Sequence, residues 1–327
     1  MLKAGGRLAG DRFVLVRALG EGGLGQVWLA QDTRDDRRVA LKILADTYAR
    51  HPGAIELLKR EFARQETLSH PHVLEAYELV AEDDTLILVM QYAAGGDARQ
   101  LRGASWQRLV PVLMQVAEAL AHAHAQGVVH RDVKSANVLL DDAGQARLAD
   151  FGHAMRLDGD ASDALRGGGT VATMSPQQLD GEKPAPSDDL YAFGVLCFEL
   201  LSGELPLGET PDVASVRTRP PPSLGSRAKG LPASLVELVD ALLAKSPAAR
   251  PDLGQVKQRL GALQAQARKP PADEPSYPLS TEGETDGAGA DEDIAITARR
   301  PRRRRGGQVV QGDSAGPGAR SASASGS

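Results

Sequence analysis

The stretch "VVHRDVKSANVLLDDAGQARLADFG", residues 128–152, brings Asp132, Lys134 and Asn137 close together and adds a further Asp150. The apolar blocks around them, "VVH", "VLL" and "ARLA", read as short strands. Asp and Asn between strands serve well in turns, where their side chains bond the backbone. A concentration of charge at strand ends equally suits a catalytic centre. The sequence on either side has to separate the two readings.

Upstream, "RFVLVRALG" (12–20), "GQVWLAQD" (25–32), "RRVALKIL" (37–44) and "TLILVMQY" (85–92) are short, rich in Val, Leu and Ile, and divided by turn signals. Between the third and fourth, residues 52–70 mix charged and apolar residues at helical intervals. Beyond "YAAGG" the pattern changes to helices. Leu109, Val112, Leu113, Val116 and Leu120 share one helix face, with Ser105 expected as N-cap and Gly127 as terminator. A small sheet lobe therefore precedes a larger helical one, and residues 128–152 fall near the cleft between them.

The chain has 327 residues, 42% of them hydrophobic and 25% charged, which is the composition of a globular protein. Its longest apolar runs, "LILVM" (86–90) and "FGVLCF" (193–198), fall far short of the roughly 18 residues that span a bilayer. No transmembrane segment is expected. The N-terminus lacks the apolar core of a secretory signal, and the single cysteine, Cys197, excludes an internal disulfide, so a cytoplasmic location is expected. From residue 268 onward Pro, Gly, Ser, Ala and charge dominate. Such a segment cannot offset its own ordering entropy, so residues 268–327, like residues 1–10, read as disordered. Within that tail the cluster from Arg299 to Arg305 could contact nucleic acid or anionic lipid, but a solvated linker folding back on the acidic stretch from Asp273 to Asp293 is the favoured reading.

Three sites upstream of the quoted stretch bear on its chemistry. "GEGGLGQV" (20–27) fits G-x-G-x-x-G-x-V with Gly20, Gly22, Gly25 and Val27. It lies between two strands, which argues against a dinucleotide-binding strand-to-helix turn. A plain hairpin turn and a loop whose bare N–H groups meet phosphates both remain open. In "RVALKIL", alternation directs Ala40 and Lys42 to one face and Val39, Leu41 and Ile43 to the other. A lysine inside an apolar strand either reaches solvent at an edge or requires a partner. Glu61, in the charged helix, is a candidate partner or one of several solvated carboxylates.

Taken in order, "GEGGLGQV", "VALK", Glu61, "HRDVKSAN", "DFG" and the Ser-Pro-Gln ending at Gln177 resemble the signature set of the eukaryotic-like protein kinases over residues 11–265. "HRDVKxxN" with Lys134 is more similar to serine/threonine than to tyrosine kinases, and the Ala- and Arg-rich wording is most similar to the bacterial ones. The resemblance implies an α+β, bilobal kinase fold spanning residues 11–267. A small antiparallel-sheet N-lobe would occupy residues 11–92 and a larger, mostly helical C-lobe residues 95–267. It implies protein substrates with Ser/Thr acceptors, autophosphorylation among them, and ATP with Mg²⁺ or Mn²⁺ as cofactors.

The residue roles it implies answer the opening question. Asp132 would accept the substrate hydroxyl's proton, and Lys134 would neutralise the transferred phosphate. Asn137 and Asp150 would hold the metal, and Lys42, held by Glu61, would pair the α- and β-phosphates. Val27 and Ala40 would sandwich adenine beneath the glycine loop. Met90 would be the gatekeeper, Gln91 and Ala93 would offer backbone groups, and Asp97 would meet the ribose. His130 would pack under Phe151, Asp189 would brace the catalytic loop, and Thr170 would orient Asp132. Arg131 would pair a phosphate in the segment after Gly152, where Ser162 is the freer acceptor. His122, His124 and His153 have no metal-ligand spacing.

Thr173 stands where relatives often have Tyr, and two further departures bear on packing. Gln65 occupies a position where an apolar residue usually packs beside Phe151. Gln177 stands where the family has Glu pairing Arg250; a neutral bond there is about half as strong as a charge-assisted one. That predicts a looser substrate-side segment and faster transfer in Gln177→Glu. A pseudokinase that only binds nucleotide is the rival to an active enzyme.

Overall fold

A computed structural model describes residues 2–22, 25–82, 85–156 and 170–268; Ser162 and the tail readings lie outside the described residues. The N-terminal lobe is one antiparallel sheet in the order β1 (Arg7–Leu8), β2 (Phe13–Gly22), β3 (Gly25–Asp32), β4 (Arg37–Leu44), β6 (Thr85–Gln91) and β5 (Ala76–Glu82). Its two faces divide as strand alternation requires. Val39, Leu41 and Ile43 join Phe13, Leu15, Trp28, Ile87 and Val89 on one side. Ala40 and Leu44 join Leu58, Leu74, Leu88 and Met90 on the other, against helix α1 (Pro52–Glu66). The buried face of α1 is Ala54, Leu58, Glu61 and Gln65, so the helical period puts one carboxylate and one amide among the apolar contacts.

The disorder expected of residues 1–10 does not hold for the described residues 2–10. Arg7 and Leu8 pair with Val14 and Phe13, the Gly5 N–H donates to the Leu15 carbonyl at 2.8 Å, and Leu2, Leu8 and Ala9 pack on the outer cluster. Backbone pairing at a sheet edge does not require apolar composition, so composition carries no sign of it. The edge strand β5 also escaped notice, because "AYELVAE" interleaves Glu with apolar residues and is mostly half-buried.

The C-terminal lobe is mostly helical. Helix α2 (Trp106–Ala125) buries Leu109, Val112, Leu113, Val116 and Leu120. Gly127, at φ +71°, takes the left-handed turn beyond its end, whereas Ser105 holds the N-cap position without a side-chain cap bond. Next come α3 (Pro176–Leu179) and α4 (Pro186–Ser202), the latter buried from Asp188 to Leu201. They are followed by α5 (Val213–Thr218), α6 (Leu224–Arg227), α7 (Ala233–Leu242) and α8 (Leu253–Arg268). α2 packs against α4 and α8. Among the described residues no helix is long and apolar enough to cross a membrane.

Between the lobes the stretch 128–152 folds as expected into short strands. β8 (Val138–Leu140) pairs with β9 (Ala146–Leu148), and β7 (Val128–Val129) with β10 (Met155–Arg156). Asp132, Lys134, Asn137 and Asp150 lie in the segments joining them.

Candidate active site

The loop after β7 hangs from one carboxylate. Asp189, fully buried in α4, accepts the N–H of His130 at 2.8 Å, the N–H of Arg131 at 2.7 Å and the ring Nε2 of His124 at 2.7 Å. Burial works against its charge, but the His124 bond and the other donors outweigh it and keep its pKa low. His130 Nδ1 accepts the Asp132 N–H at 3.2 Å, its Nε2 donates to the Ala149 carbonyl at 3.0 Å, and its ring meets Phe151 edge-on at 4.6 Å. Arg131 sits at φ +65°, a left-handed conformation that costs a non-glycine residue about 1–2 kcal/mol and is held by these bonds.

The loop thereby brings three candidates into direct contact. Asp132 Oδ2 lies 2.7 Å from Lys134 Nζ, and Asn137 Nδ2 donates to the same oxygen at 2.9 Å and to the Asp132 carbonyl at 2.8 Å. Asp132 Oδ1 is buried with no hydrogen-bond partner. Lys134 Nζ also reaches Thr170 Oγ1 at 3.4 Å.

A second group forms across the cleft. Lys42 Nζ lies 2.7 and 2.8 Å from the Glu61 carboxylate oxygens and 3.2 Å from Asp150 Oδ1. Burial alone would discharge Lys42, yet the Glu61 and Asp150 carboxylates prevail and hold its pKa above the usual lysine range. Burial pushes the Glu61 carboxyl up, with the Lys42 ammonium opposing it. Asp150 is held low, Lys42 outweighing the cost of its burial, and adopts φ +64°. Of the two open readings of Lys42 and Glu61, the structure realises the pair.

Among the described residues no three His, Cys, Asp or Glu side chains converge to hold a metal by themselves. The donor set fits instead a hard divalent ion that takes one or two protein oxygens and completes its shell from phosphates and water. Asp150 supplies a carboxylate. Asn137, with its amide nitrogen committed to Asp132, supplies an amide oxygen.

Val27, Ala40, Met90 and Ala93 belong to one apolar cluster, joined by Leu19 and Leu139, which the sequence reading did not single out. Leu139 is the half-buried residue of "VLL" and faces opposite to its buried neighbours; that alternation was the available signal. Asp97 caps the turn Ala98–Leu101 and bonds Arg99 at 2.7 Å. The motif glycines differ in kind. A Cβ on Gly20 would meet nothing within 4 Å, whereas one on Gly25 would lie 1.9 Å from the Ile43 carbonyl. Gly22 closes the hairpin opposite Gly25. Gly25 is thus required by strand packing, and Gly20 leaves open space above the backbone. His124, set aside as a metal ligand, is a bracing partner of Asp189.

Both departures prove to be bonded. Gln65 is buried and its Nε2 donates to the Leu74 carbonyl, tying α1 to the segment before β5. Gln177 Oε1 accepts from Arg250 Nη2 at 2.7 Å while its Nε2 donates to the Lys245 carbonyl at 3.0 Å. Arg250 makes further bonds to the Ala244 and Ser187 carbonyls at 2.8 and 2.7 Å. The expected looseness is therefore corrected: the amide uses both ends, and a carboxylate would turn an oxygen toward the Lys245 carbonyl. Gln177→Glu is now expected not to speed any turnover. Gln177→Leu, losing two bonds of about 1 kcal/mol each, should lower the melting temperature by roughly 4–8 °C. A scanning calorimetry trace unchanged in Gln177→Leu would contradict this account.

The comparisons agree with this geometry. Residues 13–260 match the family model described as the protein kinase domain. Serine/threonine-protein kinase PrkC of Bacillus subtilis is 35% identical over 207 residues, 62% of this chain and 32% of that protein. Serine/threonine-protein kinase PknA of Mycobacterium tuberculosis is 33% identical over 276 residues, 80% of this chain and 63% of that protein. Serine/threonine-protein kinase pkn2 of Myxococcus xanthus is 36% identical over 205 residues, 60% of this chain and 25% of that protein. The chain thus spans less than two thirds of these relatives' own length. With the family model covering most of the chain and two lobes closing on Lys42, Asp132 and Asp150, the chain belongs to the protein kinase domain family, in its α+β bilobal form.

Proposed function

We propose that this chain is an ATP-dependent serine/threonine protein kinase, with residues 11–267, extended by the β1 segment, as its catalytic unit. One observation carries the reading: the Lys42 ammonium contacts both Glu61 and Asp150, a residue 108 positions away, so the phosphate-binding and metal-binding elements are already assembled. The relatives' names favour Ser/Thr acceptors on protein substrates. Consumption of ATP argues for a cytoplasmic location.

In this reading Val27, Ala40, Met90 and Leu139 enclose the adenine. The Gln91 N–H is bonded to the Glu75 carbonyl at 2.8 Å, so its carbonyl, with the Ala93 backbone, is the group assigned to adenine. Asp97 meets the ribose, and the open backbone at Gly20, with Gly22 at the hairpin, covers the phosphates. Lys42 orients the α- and β-phosphates, and Asn137 and Asp150 hold Mg²⁺ or Mn²⁺, which when bound neutralises phosphate charge. Asp132 orients the attacking hydroxyl and takes its proton. Lys134, 2.7 Å from that carboxylate, balances charge at the transferred group.

The test is transfer of labelled γ-phosphate from ATP to the chain itself or to a generic basic protein. It should occur with Mg²⁺ or Mn²⁺ and stop on chelation. The pseudokinase alternative gives a nucleotide-dependent thermal shift without any transfer, and that outcome would refute the proposal.

A further inference from the structure

The carboxylate assigned to the ribose is engaged by its own neighbour. Residues 95–97 run beside β8: the Gly95 N–H donates to the Leu140 carbonyl at 2.7 Å and the Leu140 N–H to the Gly96 carbonyl at 2.8 Å. Asp97 itself bridges to Leu139, one of the residues enclosing the adenine. Asp97 is thereby fixed at the edge of the apolar cluster. Its Oδ1 accepts the Arg99 N–H at 3.0 Å and Arg99 Nε at 2.9 Å, and its Oδ2 accepts Arg99 Nη2 at 2.7 Å. The other polar groups nearby are committed elsewhere. Gln100 donates to the Gly95 and Asp97 carbonyls, and Arg102 Nε to Glu199 at 2.7 Å.

A carboxylate has about four acceptor positions, and Arg99 fills three of them, both on Oδ1 and one on Oδ2. The bond to the Arg99 N–H caps the turn Ala98–Leu101 and lasts as long as the turn does. The guanidinium pairs both oxygens from two residues along the same turn, so the fork is held by a short piece of chain. A bond between two charged groups is about twice as strong as a neutral one, so a ribose hydroxyl offers less than the guanidinium it would displace. What remains for the sugar is the second position on Oδ2.

We propose that Arg99 sets the sugar specificity of the nucleotide site: by filling three acceptor positions of Asp97 it leaves room for one ribose hydroxyl, so the site requires only one of the two and takes a donor that lacks the other. The inference rests on the reading of Asp97 as the ribose contact. Arg99 acts through that carboxylate, as a positioning residue. Its side chain is more than half exposed, so replacing it disturbs no core, and the capping bond belongs to its main chain. With the guanidinium gone, Oδ1 and Oδ2 each have a position for a hydroxyl, and the 2′ and 3′ hydroxyls are both read.

The experiment titrates the intact chain, with Mg²⁺ present, with ATP, 2′-deoxy-ATP, 3′-deoxy-ATP and 2′,3′-dideoxy-ATP in a calorimeter, so that the readout is binding and does not depend on turnover. In the parent chain at least one monodeoxy nucleotide should bind within about twofold of ATP, and the dideoxy nucleotide about fivefold more weakly. In Arg99→Met both monodeoxy nucleotides should bind about fivefold more weakly than ATP, and ATP itself more tightly than to the parent. Two monodeoxy nucleotides already about fivefold weaker in the parent, or a pattern unchanged in Arg99→Met, would overturn the inference while leaving Asp97 at the ribose. Weaker ATP binding by the variant would overturn it as well, by making the guanidinium a ligand of the sugar. A dideoxy nucleotide that binds the parent as tightly as ATP does would instead remove Asp97 from the ribose, and the underlying reading would fail with the inference. The parent-chain arm needs no variant, so folding of Arg99→Met does not decide it.

Discussion

Asp132→Asn should slow phosphoryl transfer by about 10²–10⁴-fold while leaving the fold and nucleotide binding close to those of the parent chain. The expectation follows from how the two carboxylate oxygens are used. Oδ2 accepts from Lys134 and Asn137, and Oδ1 has no partner. An asparagine must keep its carbonyl oxygen against those two donors, which turns its NH₂ to the place of Oδ1. The group meeting the substrate hydroxyl then donates where it has to accept. Oδ1 has no solvent contact in this state, so a hydroxyl reaches it only when the groups above it move. Initial rates with saturating ATP, alongside thermal melts, test this; a loss under tenfold would remove Asp132 from the role of proton acceptor.

Lys42→Met should cost about 10²–10³-fold in transfer, the effect of removing one preorganised charge from a site that stabilises phosphate. It should also change how stability depends on pH. In the parent chain the Lys42 ammonium opposes the upward push of burial on Glu61. Without it, burial acts unopposed, so the folded Glu61 pKa, already raised in the parent chain, rises further above the unfolded value of about 4.3. The folded state then binds a proton that the unfolded chain has released. The variant's deficit in melting temperature should be small below about pH 4.5 and widen as the pH rises toward neutrality. A deficit that does not change with pH would mean that Glu61 finds another cation.

The second prediction concerns residues whose positions were legible because strand and helix periods are short. Alternation in "RVALKIL" put Lys42 on the face opposite Leu41, and the period of α1 put Glu61 in line with Leu58. What periodicity does not carry is who bonds whom across the chain. Nothing in "AHAHA" marks His124 as the partner of Asp189, 65 residues on, and nothing in "SPQQ" indicates that the Gln177 amide reaches the Lys245 carbonyl. Both are contacts of polar side chains with groups fixed by tertiary packing. β1 was lost for a related reason: its stabilisation lies in main-chain bonds to Leu15, Val14 and Phe13, and main chain has no composition.

The apolar cluster of Leu19, Val27, Ala40, Met90, Ala93 and Leu139 draws on both lobes, since Leu139 comes from β8 and the first four from the sheet. A planar base held there acts as a removable piece of interior. Folding and ligand concentration are then linked by mass action, and a nucleotide at about a hundredfold above its Kd adds ~2.7 kcal/mol to the stability of the folded chain. Nucleotide supply would thus set the lifetime of the domain as well as its turnover, and variants too weak to survive purification would persist wherever ATP is plentiful.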